Sequence, residues 1–559
     1  MIVLSRHPLL AHEQTCRRDR IIKTYDYVIV GGGSSACVAA WRLTTMYRAR
    51  VLVLERANRR INRIMRMPAG YSKYIERDTY LEMHQSVPAS NLNGRAPIVP
   101  QAKVLGGGSA VNAMVYARGQ AKDYDDWDTY LGGNSGWAYE DVLPAFKNIE
   151  NNARLNDAFH GVGGPLDVTD VSHVSEMTEA FILSAQEVGI PYNHDFNGAE
   201  QGGVGTMQYT IGRDKFRRRV RCDAASSFLK LAQDTGLVTV ELGATVTKID
   251  VKNGRAIGVR YDKSGAEHSV RPEHEVLVAA GTYNTAKLLM LSGLGPADHL
   301  RELDIPIVAD LPGVGRNLQD HHEVPLVTKT RTGSATYYGQ DKGWRMLKNG
   351  IEYLAFGSGP VGTTGVESCC FFDPEGSDRP IIQLYCVPTV YLDRDVKKEK
   401  APGVTLTACL LRPKARGSVR LGSADPYERP KVDLNFFGHE DDLRRTIGAL
   451  QFARKIVRAG PMADLTAKEL MPGEHVQSDE DWRQYCVKQV KTNYHPVGTA
   501  KMGPQNDRDA VLDNKFNVRG VENLRVIDCS SVPFIPSGNT NAIALALGYR
   551  AASFANEGG

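Results

Sequence analysis

The sequence predicts a mixed fold, in which an α/β domain with a parallel sheet is interleaved with an α+β domain built on an antiparallel sheet. A strand, a glycine turn, a helix and a second strand follow one another between residues 25 and 57. From about residue 323 to 486 the sequence has many short strand-like segments and turns, and no further glycine cluster of this kind. At 559 residues the chain is also too long for a single hydrophobic core.

The region 25–55 has the pattern of a βαβ unit. Residues 25–30 are a short run of aromatic and β-branched residues that stops at three glycines, as a buried parallel strand does when it enters a tight turn. Apolar residues then recur at intervals of three and four, which predicts a helix, before a second apolar run at 51–54 ends on Glu55. This order is the first unit of a Rossmann-like dinucleotide-binding domain.

Each part of this unit has a role in binding a dinucleotide. Gly31 permits the turn, Gly33 lets the main chain approach a pyrophosphate, and the helix that begins near Ser34 offers free N–H groups to that anion. Ala36 stands where a third glycine is usual, and it is small enough for the helix to pack on the strand. Glu55 can accept hydrogen bonds from both ribose hydroxyls. The alternative is a glycine turn of purely structural use, and the motif does not distinguish FAD from NAD.

A second glycine cluster follows a long polar connection that has no regular period. Residues 104–114 contain three glycines followed by small residues, which lets the main chain lie flat against a planar or phosphorylated group. A loop that only turns is the alternative. We expect strands at 238–240, 244–249 and 256–261 to form a β-meander across the end of the parallel sheet. A strand at 275–281 and a helix at 285–291 then resume the α/β domain.

The remaining sequence completes both domains. Antiparallel strands are expected at 405–411 and 417–421, with a helix at 441–459 that backs their sheet. A strand at 521–528 and a helix at 541–555 return to the α/β domain. The predicted organisation is an N-terminal extension (1–24), a nucleotide-binding domain (25–155, 212–322 and 487–559) and a substrate-binding domain (156–211 and 323–486).

Composition argues against several classes of function. A net charge of +4, with no basic run longer than Arg217–Arg219, does not favour a nucleic-acid partner. The nine cysteines show neither a C-x-x-C pair nor metal-ligand spacing, so we expect free thiols in a reducing compartment and no metal site. No apolar stretch is long enough to span a membrane, and residues 1–24 lack a secretory signal. We therefore expect a protein that is cytoplasmic or peripheral to a membrane.

Five segments of the chain together resemble the glucose-methanol-choline (GMC) oxidoreductases, a family of FAD enzymes that oxidise alcohols. The resemblance runs from about Tyr25 almost to the C-terminus. Within the family it is strongest to the bacterial acceptor-linked alcohol dehydrogenases and to related alcohol oxidases. The five segments are 28–36, 104–119, 281–295, 310–321, and 493–499 taken with 538–541.

The resemblance implies where the nucleotide half of FAD binds. The pyrophosphate would lie on Gly31, Gly33 and the helix that follows, with the adenosine ribose on Glu55. The main chain of Val246 would lie near the adenine. Val111 stands where some members of the family have a histidine bonded covalently to the flavin, so we expect FAD to be bound non-covalently.

The resemblance also implies where the flavin lies. The isoalloxazine ring would lie along Gly107, Asn112 and Met114, with Asp528 and Asn541 close to the ribityl chain and the ring. The last helix would then point its N-terminus at the flavin. Because reduced flavin carries negative charge, an aligned helix dipole would stabilise it by about 0.3 to 2 kcal/mol.

By the same resemblance, His495 and Asn539 carry the chemistry. Oxidation of an alcohol requires removal of the hydroxyl proton as a hydride leaves the same carbon, and a neutral imidazole with a pKa near about 6.5 suits this role. Asn539 can donate an N–H to the substrate oxygen without competing as a base. Tyr494 would line the substrate pocket. The expected reaction converts a small, primary alcohol to the aldehyde and passes electrons to a quinone-like acceptor or to O2.

Three alternatives share this scaffold. A flavin-containing lyase would cleave a cyanohydrin without net oxidation, and a photochemical enzyme would use the flavin to oxidise a fatty acid. A catalytically silent FAD-binding protein is the third. The imidazole and the carboxamide favour alcohol oxidation over the photochemical reaction and over a silent site, which has no physical need to hold two such polar groups over a flavin. They do not distinguish oxidation from the lyase reaction. His321 and His322, which follow Asp320, are expected to be structural.

Overall fold

The computed structural model describes residues 24–74, 77–377, 379–392 and 401–557. The N-terminal extension predicted at 1–24 lies outside these ranges, except for Thr24. Within them, no helix is both long enough and apolar enough to cross a bilayer. The helices are α1 (Ser34–Thr45), α2 (Arg63–Arg66), α3 (Ala121–Tyr130), α4 (Tyr139–Ile149), α5 (Glu176–Glu187), α6 (Lys230–Asp234), α7 (Thr282–Leu291), α8 (Ala297–Glu302), α9 (Gly343–Phe356), α10 (Glu440–Val457), α11 (Gly460–Leu465), α12 (Asp479–Gln489) and α13 (Thr540–Glu557).

A five-stranded parallel sheet forms the core of the α/β part, as the sequence predicts. Its central strands are continuous apolar runs because helices and loops cover both faces, and every residue of Val51–Glu55 is buried. The last strand comes from the C-terminal region, so the sheet joins distant parts of the chain. Its strand order is Val238–Leu242, Val51–Glu55, Tyr25–Val30, Pro272–Val278 and Leu524–Val526.

The β-meander is present, but its first strand was predicted wrongly. Val238–Leu242 pairs in parallel with Val51–Glu55 at the edge of the main sheet. The meander consists of Ala244–Lys252, Arg255–Lys263 and Ala266–Val270. Gly243, which has a φ of +70°, separates the edge strand from the meander. The alternation of apolar and polar residues predicts a strand but does not show which neighbouring strand it pairs with.

The connection after Glu55 is more regular than its sequence indicates. Leu81–Gln85 and Ile98–Ala102 pair as an antiparallel hairpin. The hairpin packs beside the dinucleotide end of the large cavity described below, and Leu81, His84 and Gln101 line that cavity. It escapes sequence analysis because its strands contain charged residues and a proline, which weaken the strand signal.

A second large sheet forms the α+β part. Antiparallel pairing joins six strands in the order Thr466–Met471, His322–Thr330, Gly403–Leu410, Ile382–Val387, Ser368–Phe372 and Gly203–Thr206, and Lys491–Thr492 also pairs with His322–Thr330. Helices α5, α10 and α12 pack against this sheet. An antiparallel sheet backed by helices is therefore confirmed, whereas the exact domain boundaries stay a prediction.

Shorter strands complete the fold. The predicted strand at 417–421 lies in a separate ribbon and does not pair with Gly403–Leu410. The shorter pairs and sheets are Val115–Tyr116, Gln208–Tyr209, Leu166–Asp170 and Glu150–Asn152; Ile211–Arg213 and Arg219–Arg221; Leu294–Gly295 and Ala309–Asp310; and Ser418–Arg420 and Lys431–Asp433.

The first and last helices of the α/β part pack closely against each other. A Cβ at Gly548 of α13 would lie 2.2 Å from the carbonyl oxygen of Ser35 in α1. Only glycine therefore permits this approach. The contact brings the N-termini of α1 and α13 to the same place, where the side-chain hydroxyl of Ser34 donates to Oδ1 of Asn541 at 2.9 Å.

Candidate active site

A cavity of about 590 Å³ runs between the parallel sheet and the antiparallel sheet. One end is bounded by the glycine turn and Glu55, and the other by His495 and Asn539. Twelve of the thirteen predicted site residues border it: Gly31, Gly33, Ser34, Glu55, Gly107, Asn112, Val246, Tyr494, His495, Asp528, Asn539 and Asn541. The fold thus brings together residues that lie more than 500 positions apart in the chain.

The two glycine clusters meet at the dinucleotide end. Gly31 has a φ of +101°, and a Cβ there would lie 2.3 Å from the carbonyl oxygen of Ala279. Gly107 has a φ of +56°, and its Cβ would lie 2.7 Å from Cα of Gly33. By contrast, a Cβ at Gly108 would meet no atom within 4 Å. The clusters therefore hold each other in place while leaving main chain open to the cavity.

No side chain caps the N-terminus of α1. Its first N–H groups consequently have no intrahelical or capping partner, and they retain the partial positive charge of the helix dipole. Ser34 and Ser35, which begin the helix, both line the cavity. This arrangement suits the pyrophosphate of a dinucleotide.

Glu55 is fixed at the end of its strand by main-chain donors. One carboxylate oxygen accepts the N–H of Gly32 and the other accepts the N–H of Ala57, both at 2.7 Å. Burial raises the pKa of Glu55 above its usual range, although both N–H groups oppose that shift. Each carboxylate oxygen keeps a further lone pair that a ribose hydroxyl could use.

Asp528 ties the end of the last strand to the start of α7. Its Oδ2 accepts the N–H of Gly281 at 2.7 Å and the hydroxyl of Thr285 at 2.6 Å. Its Oδ1 accepts the N–H of Ser530 at 2.9 Å. These bonds orient the carboxylate at the cavity wall next to Asn541.

A buried arginine that sequence analysis missed holds the second glycine loop. Arg221 donates to the carbonyl oxygen of Ser109 at 3.0 Å and to both Oδ1 and the carbonyl oxygen of Asn112 at 2.7 Å. Burial lowers the pKa of Arg221 to about 10. Met114, in contrast, is fully buried in a separate apolar cluster and does not border the cavity, whereas its neighbours Ala113 and Val115 do.

At the other end of the cavity, His495 is held by a second histidine. The Nδ1 atoms of His495 and His321 are 3.0 Å apart, and Nε2 of His321 lies 3.0 Å from the carbonyl oxygen of Leu411. The main-chain N–H of His495 donates to Oδ1 of Asp320 at 2.8 Å. His321 thus has a direct contact with the predicted base, which its position in a turn-like sequence did not suggest.

Asn539 faces the remaining nitrogen of His495. Its Nδ2 lies 3.3 Å from Nε2 of His495 and donates to the hydroxyl of Tyr385 at 3.1 Å. Its Oδ1 is buried and has no hydrogen-bond partner among the described residues. An unsatisfied buried acceptor costs about 1–3 kcal/mol, and a ligand that carries a donor could satisfy this one.

A buried ion pair lies in the wall beside Tyr494. The ammonium of Lys491 bonds the carboxylate of Glu323 and donates to the hydroxyl of Tyr391 at 3.1 Å. It also lies 4.2 Å from the ring centroid of Tyr391 and 5.9 Å from that of Tyr494. Burial alone would lower the pKa of Lys491, but Glu323 and the two tyrosines outweigh it and raise the pKa well above its usual range.

The residues present fit a bound FAD. The open glycine main chain, the uncapped helix and Glu55 match a dinucleotide, and the unsatisfied carboxamide at the far end matches a hydroxyl-bearing substrate. A site that holds a dinucleotide within reach of a buried imidazole is what an FAD-dependent alcohol oxidoreductase requires. The fold and the cavity define that class of enzyme.

The comparisons with known proteins agree with this class, and the chain belongs to the GMC oxidoreductase family. The family's N-terminal model matches residues 25–323, and its C-terminal model matches residues 413–548. The resemblance found in the sequence is thereby confirmed.

Several relatives are similar over nearly the whole chain. An oxygen-dependent choline dehydrogenase of Brucella anthropi is 36% identical over 527 residues, covering 94% of both chains. Another, from Sinorhizobium fredii, is 35% identical with the same coverage. Among solved structures, pyridoxine 4-oxidase from Mesorbium loti superposes with a TM-score of 0.85 at 26% identity, covering 96% of this chain and 99% of that one.

The contact between the glycine clusters gives a first prediction. Gly107→Ala must separate the two loops and strain the main chain, at a cost of about 1–3 kcal/mol. We expect FAD binding to weaken by about tenfold or more, measured as flavin per polypeptide by visible absorbance during dialysis. Gly350→Ala is the matched control, because a Cβ there would meet no atom within 4 Å. Equal flavin retention in both variants would contradict this role of Gly107.

Proposed function

We propose that the enzyme oxidises an uncharged primary alcohol to the aldehyde, with His495 accepting the hydroxyl proton and Asn539 holding the hydroxyl oxygen. The observation that carries the proposal is the 3.3 Å approach of Nε2 of His495 to Nδ2 of Asn539 at the cavity wall. A substrate hydroxyl that lies within hydrogen-bonding distance of both nitrogens can accept from the carboxamide while it gives its proton to the imidazole.

The hydrogen bonds of the two histidines favour one tautomer of His495. Nε2 of His321 faces the carbonyl oxygen of Leu411, which only accepts, so this nitrogen carries the proton. Nδ1 of His321 is then an acceptor, and Nδ1 of His495 must donate to it. The lone pair of His495 is left on Nε2, the nitrogen that faces Asn539.

The same surroundings keep His495 neutral. Burial, and to a smaller extent the neighbouring His321, lower the pKa of His495 well below its usual range. Burial also lowers the pKa of His321 to about 4. A neutral imidazole can accept a proton, so the resting enzyme is ready for substrate at neutral pH.

FAD, when bound, supplies the acceptor for the hydride that leaves the carbinol carbon. The chain's own groups orient the alcohol and exclude water. His495 is only 9% exposed, and His321 is fully buried. Val111 borders the cavity and has no nucleophilic atom, which supports non-covalent attachment of FAD.

The ion pair beside Tyr494 supports an uncharged substrate. A carboxylate and two tyrosine rings could bind a quaternary ammonium through charge and cation–π contacts. In this chain the ammonium of Lys491 already occupies that position. A second cation would meet a neutralised carboxylate and a repelling charge, and an anion would meet a cation that is already paired. The relatives named as choline dehydrogenases therefore do not define the substrate of this enzyme.

A matched pair of alcohols tests this proposal. 3,3-Dimethylbutan-1-ol has the shape of choline without its charge, and each compound would be mixed anaerobically with the purified enzyme. We expect the neutral alcohol to bleach the flavin at least about tenfold faster than choline, since each 1.4 kcal/mol of discrimination is a factor of ten. Faster bleaching by choline would overturn the proposed substrate class. Product formed from a cyanohydrin without bleaching would instead indicate the lyase.

The oxidative half of the reaction passes electrons to O2 or to a quinone-like acceptor. Stopped-flow mixing of the reduced enzyme with air-saturated buffer distinguishes them. Rapid return of flavin absorbance identifies an oxidase. Slow return in air, with rapid return on adding a soluble quinone, identifies an acceptor-linked dehydrogenase.

The lowered pKa of His495 predicts a flat pH profile. The base works when it is neutral, and its neutral fraction falls only when the pH drops below its pKa. We expect the rate of anaerobic flavin reduction to be constant between about pH 6 and 9, whereas with an unperturbed histidine the rate would already be halved at about pH 6.5.

His321 is a positioning residue in this scheme, and its removal should change that profile. His321→Ala removes the hydrogen-bond acceptor of Nδ1 of His495 and admits water beside the ring. We therefore expect slower flavin reduction. Because water favours the charged imidazole, the pH below which the rate falls should also rise into the measurable range. His322→Ala is the control, because its ring is equally buried but bonds the hydroxyl of Thr446 at 3.0 Å. Identical profiles for the two variants would show that His321 is only structural.

A further inference from the structure

The surface helix α9 (Gly343–Phe356) carries its apolar side chains on the outside. Trp344, Leu347, Ile351 and Leu354 are 71%, 55%, 54% and 62% exposed. Their spacing of three and four residues places them on one side of the helix, which we call the apolar stripe. Phe356, at the end of the helix, is 74% exposed.

The opposite side of α9 holds it to the protein by polar contacts. Asn349 and Tyr353 are its only buried residues. Nδ2 of Asn349 donates to the carbonyl oxygen of Gln340 at 3.1 Å, and the hydroxyl of Tyr353 donates to that of Arg219 at 2.7 Å. The usual arrangement of a surface helix, with apolar residues inward, is therefore inverted.

A neighbouring hairpin extends this surface. The hairpin joins Ile211–Arg213 to Arg219–Arg221, and Phe216 at its tip is 63% exposed. A Cβ at Gly357 would lie 2.7 Å from the carbonyl oxygen of Arg217, so the hairpin packs directly on the end of α9. Phe216 is flanked by cations, with the guanidinium of Arg218 4.8 Å from its ring centroid.

This surface is also basic. Apart from the buried Arg219, residues 213–219 and 341–356 contain seven basic and three acidic side chains. Their local net charge of +4 equals that of the whole chain. One of the acidic groups, Asp214, already pairs with Arg218 at 2.6 Å. The basic side chains that remain in excess give this surface a positive charge around its exposed apolar residues.

We propose that α9 and the 211–221 hairpin form a docking surface for an anionic lipid bilayer, with the apolar stripe lying in the interface. A helix with aromatic and aliphatic residues on its outer face and lysine and arginine around them is typical of segments that lie in the plane of a membrane. Each basic residue close to an anionic surface adds electrostatic attraction to the lipid headgroups. A protein partner would have to match both the apolar stripe and the surrounding cations, whereas a lipid surface needs no specific complement.

The docking surface connects to the cavity. The chain passes from Phe356 to Val366, which lines the cavity, in ten residues. The short helix Pro360–Gly362 between them packs on α9 and on Pro68–Lys73. Tyr71 in that segment also lines the cavity. Docking would therefore place this side of the active site toward the bilayer, from which an apolar alcohol could enter.

Vesicle binding by the full-length holoenzyme tests the proposal. We expect the protein to float with vesicles of phosphatidylcholine and phosphatidylglycerol, and to float less with phosphatidylcholine alone or in high salt. Trp344 supplies a second signal, because Trp127, Trp137 and Trp482 are fully buried. Anionic vesicles should shift the tryptophan emission to the blue in the wild type, and not in Trp344→Phe, which should still float.

Three sets of substitutions distinguish specific docking by this surface from non-specific hydrophobic binding. Leu347→Gln, Ile351→Gln and Leu354→Gln together should reduce the bound fraction at least about tenfold. Leu183→Gln, Tyr192→Gln and Leu231→Gln, at exposed apolar positions elsewhere, should not change it. Lys215→Gln, Arg345→Gln and Lys348→Gln should remove the preference for anionic lipid.

Three results would overturn the proposal. The first is no flotation of the wild type with any vesicle, and the second is equal flotation of the wild type and the stripe variant. The third is a dimer, seen by light scattering, that the stripe variant converts to a monomer while neither form binds lipid. That last outcome would assign the apolar stripe to contact between two copies of the chain.

Discussion

Replacing His495 by alanine is expected to slow the reduction of the bound flavin by alcohol roughly 100-fold or more, the usual contribution of a general base. Nε2 of His495 carries the lone pair that accepts the proton, and this nitrogen faces Asn539 at the substrate end of the cavity. Without it, the groups closest to Asn539, such as the hydroxyl of Tyr385, are too weakly basic to take the hydroxyl proton at neutral pH. The measurement is anaerobic stopped-flow bleaching under saturating alcohol.

The variant must keep its cofactor for this result to be informative. FAD content should be unchanged, because His495 borders the substrate end of the cavity and the groups expected to hold the dinucleotide border the opposite end. His322→Ala, which removes an equally buried imidazole that bonds Thr446, is the control for loss of packing. A rate of flavin reduction in His495→Ala equal to that of the wild type would show that another group takes the proton.

Lys491→Met is expected to lower the free energy of unfolding by about 3–5 kcal/mol, since it removes the ammonium that bonds the buried carboxylate of Glu323. Both side chains of the pair are only 3% exposed, so solvent cannot replace the lost contact. Chemical denaturation followed by circular dichroism measures the change. The double variant Lys491→Met with Glu323→Gln should recover most of the lost stability, because it also removes the negative charge of Glu323.

The same single variant should acquire affinity for choline. Its cavity wall would present the carboxylate of Glu323 without the ammonium of Lys491, beside the rings of Tyr391 and Tyr494, and a carboxylate with aromatic rings can bind a quaternary ammonium. Choline at 100 times its dissociation constant would stabilise the variant by about 2.7 kcal/mol, visible as a rise in Tm. The wild type and the double variant should show no such rise. A choline response in all three proteins would place cation binding elsewhere.

The dinucleotide end of the site could be predicted from the sequence because its signals are local. Gly31, Gly33 and Glu55 lie within one βαβ unit, where strand, turn and helix periods identify each element. The position of Asp528 and Asn541 came from family resemblance, and the structure places both at the cavity wall. Their roles toward the flavin stay a prediction.

The substrate end could not be predicted in the same way, because its contacts join distant parts of the chain. His321 and His495 are 174 residues apart, and Lys491 and Glu323 are 168 residues apart. Their meeting depends on the pairing of His322–Thr330 with Lys491–Thr492. An isolated Lys or Glu at a strand terminus gives no sign of its partner, although a charged residue in an apolar strand is a reason to look for one.

The cofactor site has an order of assembly built into it. The strand Leu524–Val526 closes the edge of the parallel sheet, and α13 packs on α1. These elements must therefore meet before the FAD-binding end of the cavity is formed. During synthesis, the glycine turn leaves the ribosome about 500 residues before α13 does. A nascent chain therefore cannot complete this cofactor site before α13 has been synthesised.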